Sequence, residues 1–319
     1  MNVFLEFEQS IAELEGKIED LRQLGSQDRG ISIDDEVARL QAKADQLIVE
    51  AYGRLTPWQK TLVARHPARP HFSDYIKHLI ADFTPLSGDR LFGEDQAIVA
   101  GLGRFRGRSV AIIGHEKGND TKSRLKHNFG MAMPEGYRKV RRLLEMADRF
   151  GLPVISLIDT AGAYPGIGAE ERGQAEAIAR ATQACLSVRT PFVATIIGEG
   201  GSGGAIAIAS ANKVFMLEHA IYSVISPEGC ASILWRNPEK AMDAAMAMKI
   251  TATDLLKLKV IDGIIPEPMG GAHRDPVQAI EAVGDTIEAT LAELSSLGPE
   301  ELRRTRREKF LQIGQLESA

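Results

Sequence analysis

The chain reads as an α/β protein built on a mostly parallel sheet with crossover helices. Apolar, strand-like runs recur at 154–159, 192–197, 213–217, 222–225 and 260–265. Helical patterns at 137–150 and 173–187 separate several of them, and two of the runs end in glycine-rich turns. Repeated strand–turn–helix units pack as a parallel sheet with helical returns.

The elements follow in order. Phe7, Ile11, Leu14, Ile18 and Leu21 are spaced as a helical seam, and Val37, Leu40, Ala44 and Leu47 make a second one. A polar loop over 25–30, with Ser32 as cap, joins them into an antiparallel hairpin. Two heptads each are short for a free coiled coil, so the hairpin needs a covering surface, either its own domain or a partner. Residues 65–71 (RHPARPH) are a proline-bounded link. The spacing predicts a helix over 74–83, then a β-hairpin of 97–105 and 109–114 around Arg106-Gly107-Arg108. From Pro276 the chain reads as helical, and its basic run 303–307 as a solvated face.

The 319 residues suffice for one large or two modest domains. A formal charge of -5 argues against a general nucleic-acid binder. No apolar run reaches the roughly 20 residues that span a bilayer, and the acidic N-terminal segment is not a signal peptide. A cytoplasmic protein is expected. Cys185 and Cys230, the only cysteines, read as small buried hydrophobes. Eight basic residues between Lys117 and Arg142 face only Asp120 and Glu135 in sequence. Such a block can attract a phosphate-bearing ligand or be a solvated surface.

The stretch 192–209 carries the chemistry. An apolar strand leads into Gly198, Gly200, Gly201, Gly203 and Gly204, then into a small-residue helix start. That order leaves backbone N–H groups without partners at a helix N-terminus. Three site types fit. Residues 198–203 satisfy G-x-G-x-x-G, with Glu218 at the spacing of a ribose-binding acid, as in an NAD-binding Rossmann-type dehydrogenase. Residues 200–204 satisfy the G-x-S-x-G elbow of a serine hydrolase, with Asp262, His219 and His273 downstream. In the third, the amides of Gly203 and Gly204 form an oxyanion hole and no reactive side chain is needed. A plain tight turn is the remaining alternative. A Rossmann fingerprint belongs in the first βαβ unit, whereas here strand units precede it. A second turn, 159–166, follows another buried strand, so two glycine loops would open on one sheet edge.

Residues 199–204 (EGGSGG), 161–173 (AGAYPGIGAEERG), 225–235 (ISPEGCASILW), 266–274 (PEPMGGAHR) and 128–138 (NFGMAMPEGYR) together resemble the carboxyltransferase alpha subunit of bacterial acetyl-CoA carboxylase. The resemblance extends to about Arg274 and is weakest in the basic tail; Ala161 stands where the family pattern has proline. It implies a crotonase-like (ClpP/crotonase) spiral of repeated β-β-α units over residues 65–319, with C-terminal helices, behind a helical hairpin extension at 1–64. It implies carboxyl transfer from carboxybiotin, tethered to a biotin carboxyl carrier protein, to acetyl-CoA, giving malonyl-CoA in the first committed step of fatty acid biosynthesis. No cofactor is expected bound covalently to this chain. A beta subunit carrying zinc is the expected partner in an α2β2 assembly, with the site at the interface; no membrane or nucleic-acid partner is expected. In this reading Gly203 and Gly204 donate to the oxyanion, which by resemblance is biotin's urea oxygen, and Gly200 and Gly201 shape the turn. Gly162, Ala163 and Tyr164 form the opposite wall. Arg172 is a carboxylate or phosphate contact, or else pairs with Glu170 or Glu171.

Overall fold

The computed structural model describes residues 3–27 and 34–315. Helices α1 (Gln9–Gln27) and α2 (Asp34–Tyr52) pack against each other. Leu14, Ile18 and Ala44 close one apolar cluster between them, with Val37, Leu40 and Leu47 packed against it. Ile11, Ile48 and Tyr52 close a second with Val63 of α3 (Pro57–Ala64). Gly25 belongs to α1 and not to a loop; the rest of the polar joint, with Ser32, lies outside the described residues.

The segment 65–71 is more than a link, for His66, Arg69 and His71 are buried. Arg69 donates to both carboxylate oxygens of Glu267 at 2.6 and 2.8 Å and to the carbonyl of Ile197 at 2.7 Å. Helix α4 (Phe72–Leu79) ends earlier than its spacing suggests. From there β1 (Ile80–Pro85) pairs antiparallel with β2 (Ile98–Phe105). The apolar spacing at 76, 79, 80 and 83 is helical, but pairing with the edge of β2 overrides it, with a register shift between Ala81 and Thr84. Strand β3 (Arg108–His115) returns along β2. Their connection, Arg106 at φ 46° and Gly107 at φ 83°, has the two positive dihedrals that match strand twist in a two-residue turn.

Beyond β3 the sheet is parallel. Helices α5 (Thr121–Lys126) and α6 (Pro134–Phe150) lead to β4 (Val154–Thr160). Helices α7 (Ile167–Glu171) and α8 (Gln174–Ser187) lead to β5 (Phe192–Gly201). Then come α9 (Ser202–Ala209), β6 (Lys213–Leu217) and β7 (Ile221–Ser223). Helices α10 (Pro227–Trp235), α11 (Ala241–Ala247) and α12 (Ala252–Lys257) precede β8 (Gly263–Ile265). The chain finishes with α13 (Pro276–Leu294) and α14 (Pro299–Gln312). The strand order is β1-β2-β3-β4-β5-β6-β8, and β7 pairs with the far end of β5. Every residue of β4 and β5 is buried, as in a strand covered on both faces. One apolar core runs from Phe72 through the sheet to Leu302.

Two charged stretches behave differently from their sequence reading. Within the basic tail Arg306 is only 1% exposed. Its guanidinium donates to the carbonyls of Cys185, at 2.8 Å, of Val188, and of Thr190, at 3.0 Å, and to Asn212 Oδ1. Periodicity places Arg306 beside Leu302 on the inner face of α14, and the charge follows the helix. Three of the eight basic residues from Lys117 to Arg142 are neutralised by acids distant in sequence. Lys117 pairs with Asp159, Arg138 with Asp89 and Lys139 with Glu94. Cys185 is buried but Cys230 only partly so.

Removing a buried donor strands its acceptors, so Arg306→Ala should cost on the order of 3 kcal/mol; an unchanged urea midpoint would contradict this. Burial alone would raise the Glu267 carboxyl, but Arg69 pulls it from 4.5 down to about 2. A depressed carboxylate stabilises fully above its unfolded pKa and loses that contribution as pH falls through the folded one. Urea titrations between about pH 4.5 and 2 should therefore show a shallower acid limb for Glu267→Gln than for the parent protein.

Candidate functional site

The two glycine turns meet at the carboxyl ends of β4 and β5. These strands are parallel neighbours, in register from Val154–Phe192 to Ile158–Ile196, and a bulge then brings Thr160 opposite Gly200. The glycines are required by proximity. A Cβ on Gly198 would lie 2.6 Å from Asp159 Oδ1 and 3.1 Å from the Ala64 carbonyl. One on Gly201 would run into the Ala161 carbonyl, and one on Gly204 would lie 2.7 Å from Gly162 C and 2.8 Å from Ala163 N. Gly203 differs, since its Cβ would meet only Ile178 at ordinary contact, 3.5 Å. Gly200 and Gly201 are strand residues, paired with Tyr222 and Ser223 of β7, so they extend β5 instead of forming a loop.

Helix α9 therefore begins inside the sheet edge. Its first residue, Ser202, is exposed and takes φ 54°, a left-handed conformation uncommon for a residue with a side chain. The first turn of a helix has no intrahelical acceptors for its amides. Among the described residues, no side chain and no loop carbonyl bonds to the amides of Gly203 or Gly204. Gly203, Ser202, Ile206, Tyr222, Met248 and Phe310 line a mainly apolar cavity of about 480 Å³. A partly apolar recess strengthens any charge interaction made by donors at its wall.

The opposite turn is held by its own hydrogen bonds. Thr160 Oγ1 accepts from Gly162 N–H at 3.1 Å and donates to Gly162 O at 2.8 Å. Tyr164 N–H donates to Ala132 O at 3.0 Å, and Tyr164 O accepts from Gln174. Ala163 is thus the member of that wall whose amide has no such acceptor among the described residues. Arg172 caps α7 and pairs neither with Glu170 nor with Glu171. Its guanidinium lies against Glu135, at 2.7 and 3.2 Å, and over the ring of Phe92. Those contacts occupy the group that the sequence suggested as an anion ligand.

Beneath the turns lies an ion network that motif reading passed over. Lys117 Nζ is 2.7 Å from Asp159 Oδ1 and 3.5 Å from Glu199 Oε2. Asp159 Oδ1 also accepts the Glu199 N–H at 2.9 Å, bonding β4 to β5. Burial would push the Asp159 carboxyl up, but Lys117 and His71 hold it below its ordinary range, and Asp159 in turn raises Lys117 against its burial. Arg65 completes the network by bridging Glu199 and Glu228, each at 2.6 Å. An acid near the end of a fully buried, mainly apolar strand, as Asp159 is, signals a buried pair; its partners lie too far along the chain for spacing to name.

The hydrolase and dinucleotide constellations do not form. His273 stacks on His66 and approaches Tyr52 Oη at 3.4 Å. Asp262 bonds Val214 N–H and Lys309, and His219 N–H donates to Glu267. The Glu218 carboxylate accepts from Glu267 N–H. None of these contacts reaches Ser202.

Residues 4–314 match the family model described as acetyl co-enzyme A carboxylase carboxyltransferase-like, so the likeness runs past Arg274 through the basic tail. The acetyl-coenzyme A carboxylase carboxyl transferase subunit alpha of Rhizobium johnstonii is 65% identical over 314 residues, 98% of this chain and 99% of that protein. Among solved structures, transcarboxylase 12S aligns with TM-score 0.59 at 18% identity over 72% of this chain. This chain spans 42% of the transcarboxylase chain's length. The beta subunit of Pseudomonas aeruginosa geranyl-CoA carboxylase aligns with TM-score 0.56 at 16% identity, covering 77% of this chain and 46% of that one. These neighbours share the crotonase-like α/β architecture, with a mixed sheet, that is seen here. By its full-length match and the identity to its relative, the chain belongs to the acetyl-CoA carboxylase carboxyltransferase family.

Proposed function

We propose that the chain is the alpha half of an acetyl-CoA carboxylase carboxyltransferase, which moves a carboxyl group from carboxybiotin to acetyl-CoA to give malonyl-CoA. Family membership supports the activity. One observation carries the mechanism: the amides of Gly203 and Gly204 lie in the first turn of α9, where no intrahelical acceptor exists, and Gly203 lines a recess. Charge develops on the thioester oxygen when a proton leaves the acetyl methyl group, and on the urea oxygen when biotin loses its carboxyl group. Fixed peptide donors stabilise such charge without reorganising. Gly203 and Gly204 donate to one of these oxygens, the biotin urea in this reading, while Gly200 and Gly201 set the strand that aims them. Gly162, Ala163 and Tyr164 form the facing wall, with the Ala163 amide as a further donor. Arg172 shapes that wall through Glu135 and is not assigned to a substrate.

A relative named as a subunit alpha supports a partner subunit for this chain. The partner in this proposal is a beta subunit holding zinc and the second oxyanion site in an α2β2 assembly. Biotin arrives as a substrate on its carrier protein, and this chain holds no covalent cofactor. No helix among the described residues is long and apolar enough to cross a membrane.

Two substitutions test the assignment in the assembled enzyme. Gly204→Ala drives a methyl into the Gly162–Ala163 peptide, so malonyl-CoA formation should fall about 100-fold, as on losing an oxyanion donor. Circular dichroism should still show a folded protein; full turnover in a folded variant defeats the reading. Ser202→Ala should retain most activity, because only a serine hydrolase needs that hydroxyl. A loss of about 1,000-fold or more there would restore the nucleophile reading.

A further inference from the structure

Arg65 closes helix α3 and belongs to the segment leading out of the N-terminal helices, yet its guanidinium ends at the edge of the site. Nε and Nη2 donate to Glu199 Oε1 at 2.9 and 2.6 Å, and Nη1 donates to Glu228 Oε1 at 2.6 Å. Glu199 immediately precedes the glycines of the turn, and its amide is already bonded to Asp159. Glu228 lies in the first turn of α10, the helix that follows β7. Strand β7 in turn pairs through Tyr222 and Ser223 with Gly200 and Gly201. A single planar cation therefore clamps both sides of the glycine strand, the residue before it and the helix beyond its neighbour. The backbone of α3 reaches the same place, because the Ala64 carbonyl fills the space beside Gly198.

The geometry points to Arg65 as a positioning residue for carboxyl transfer: by bridging Glu199 and Glu228 it fixes the direction of the Gly203 and Gly204 amides, so that the N-terminal helices form part of the catalytic apparatus. This rests on the oxyanion reading above. Arg65 touches no reacting atom in this scheme. Glycines at 198, 200 and 201 bring no side-chain packing of their own, so this strand end is aligned by its backbone pairing with β4 and β7, and the guanidinium fork adds a restraint in two directions. Lysine would keep the charge but not the fork.

The test uses the complete complex with its partner subunit and carboxylated carrier, comparing Arg65→Ala, Arg65→Lys and Glu228→Gln with the parent. Misalignment of a catalytic group by about 1 Å costs up to 100-fold. Arg65→Ala should thus lower kcat per folded molecule at least about tenfold, with KM for acetyl-CoA changed less than about twofold. Arg65→Lys should recover part of the rate. Glu228→Gln, which weakens one arm at the surface, should lower kcat several-fold and remains informative if Arg65→Ala fails to fold. The proposal is overturned if activity merely tracks the folded fraction, if KM rises while kcat stays constant, or if Glu228→Gln turns over normally. Gly204→Ala run alongside separates the two ideas. Its inactivity beside an active Arg65→Ala defeats only the clamp, whereas its full activity defeats the oxyanion reading beneath it.

Discussion

Everything at the sheet edge depends on the contact between two stretches of bare backbone. The first turn of α9 lies so close to the peptide joining Gly162 and Ala163 that Gly204 has no room for a single methyl group. Thr160 holds one side of this contact with paired hydrogen bonds through its hydroxyl. The other side emerges from β5, whose ten residues are all buried. The strand bodies supply burial and rigidity, and the ends supply polar backbone groups that the fold does not itself satisfy. That division of labour suits a reaction whose transition states concentrate charge on oxygen.

Charged side chains serve this arrangement without taking part in it. Asp159, Lys117, Glu199 and Arg65 are mostly shielded from water, and each meets an opposite charge at hydrogen-bonding distance. Buried pairs of this kind add little net stability over apolar packing, but they specify which strand end sits beside which. Arg69 and Glu267 do the same on the neighbouring side, where the doubly bonded pair ties the 65–71 segment to the chain after β8. Lys117, Arg138 and Lys139, from the basic block that the sequence offered as a phosphate site, are committed to such pairing.

Periodicity and glycine spacing were enough to read the bodies of the parallel strands, the Arg106–Gly107 hairpin, the two helical seams and the meeting of two glycine segments at one sheet edge; the runs at 222–225 and 260–265 are strand only over 221–223 and 263–265. Each is local: a strand buried on both faces writes itself as an apolar run, and a glycine turn as missing side chains. What escaped reading was set by distant partners. Ile80 to Phe83 became strand because β2 offered an edge, and Arg306 went inward because carbonyls of 185, 188 and 190 awaited it. Gly200 and Gly201 joined the sheet because β7, two strands later, pairs with them. Arg172 found Glu135 on another helix. Spacing within a motif carries no information about such meetings.

The position of α14 has an outcome for the order of events on the ribosome. Phe310 and Ile313 border the recess next to Gly203, and Arg306 of α14 bonds main-chain oxygens left open at the end of α8 and in the loop before β5. A nascent chain that has already extruded every strand still presents those oxygens to water and an unwalled hollow. Closure waits for α14 to leave the exit tunnel, so the hollow is completed only after translation of the sheet has finished.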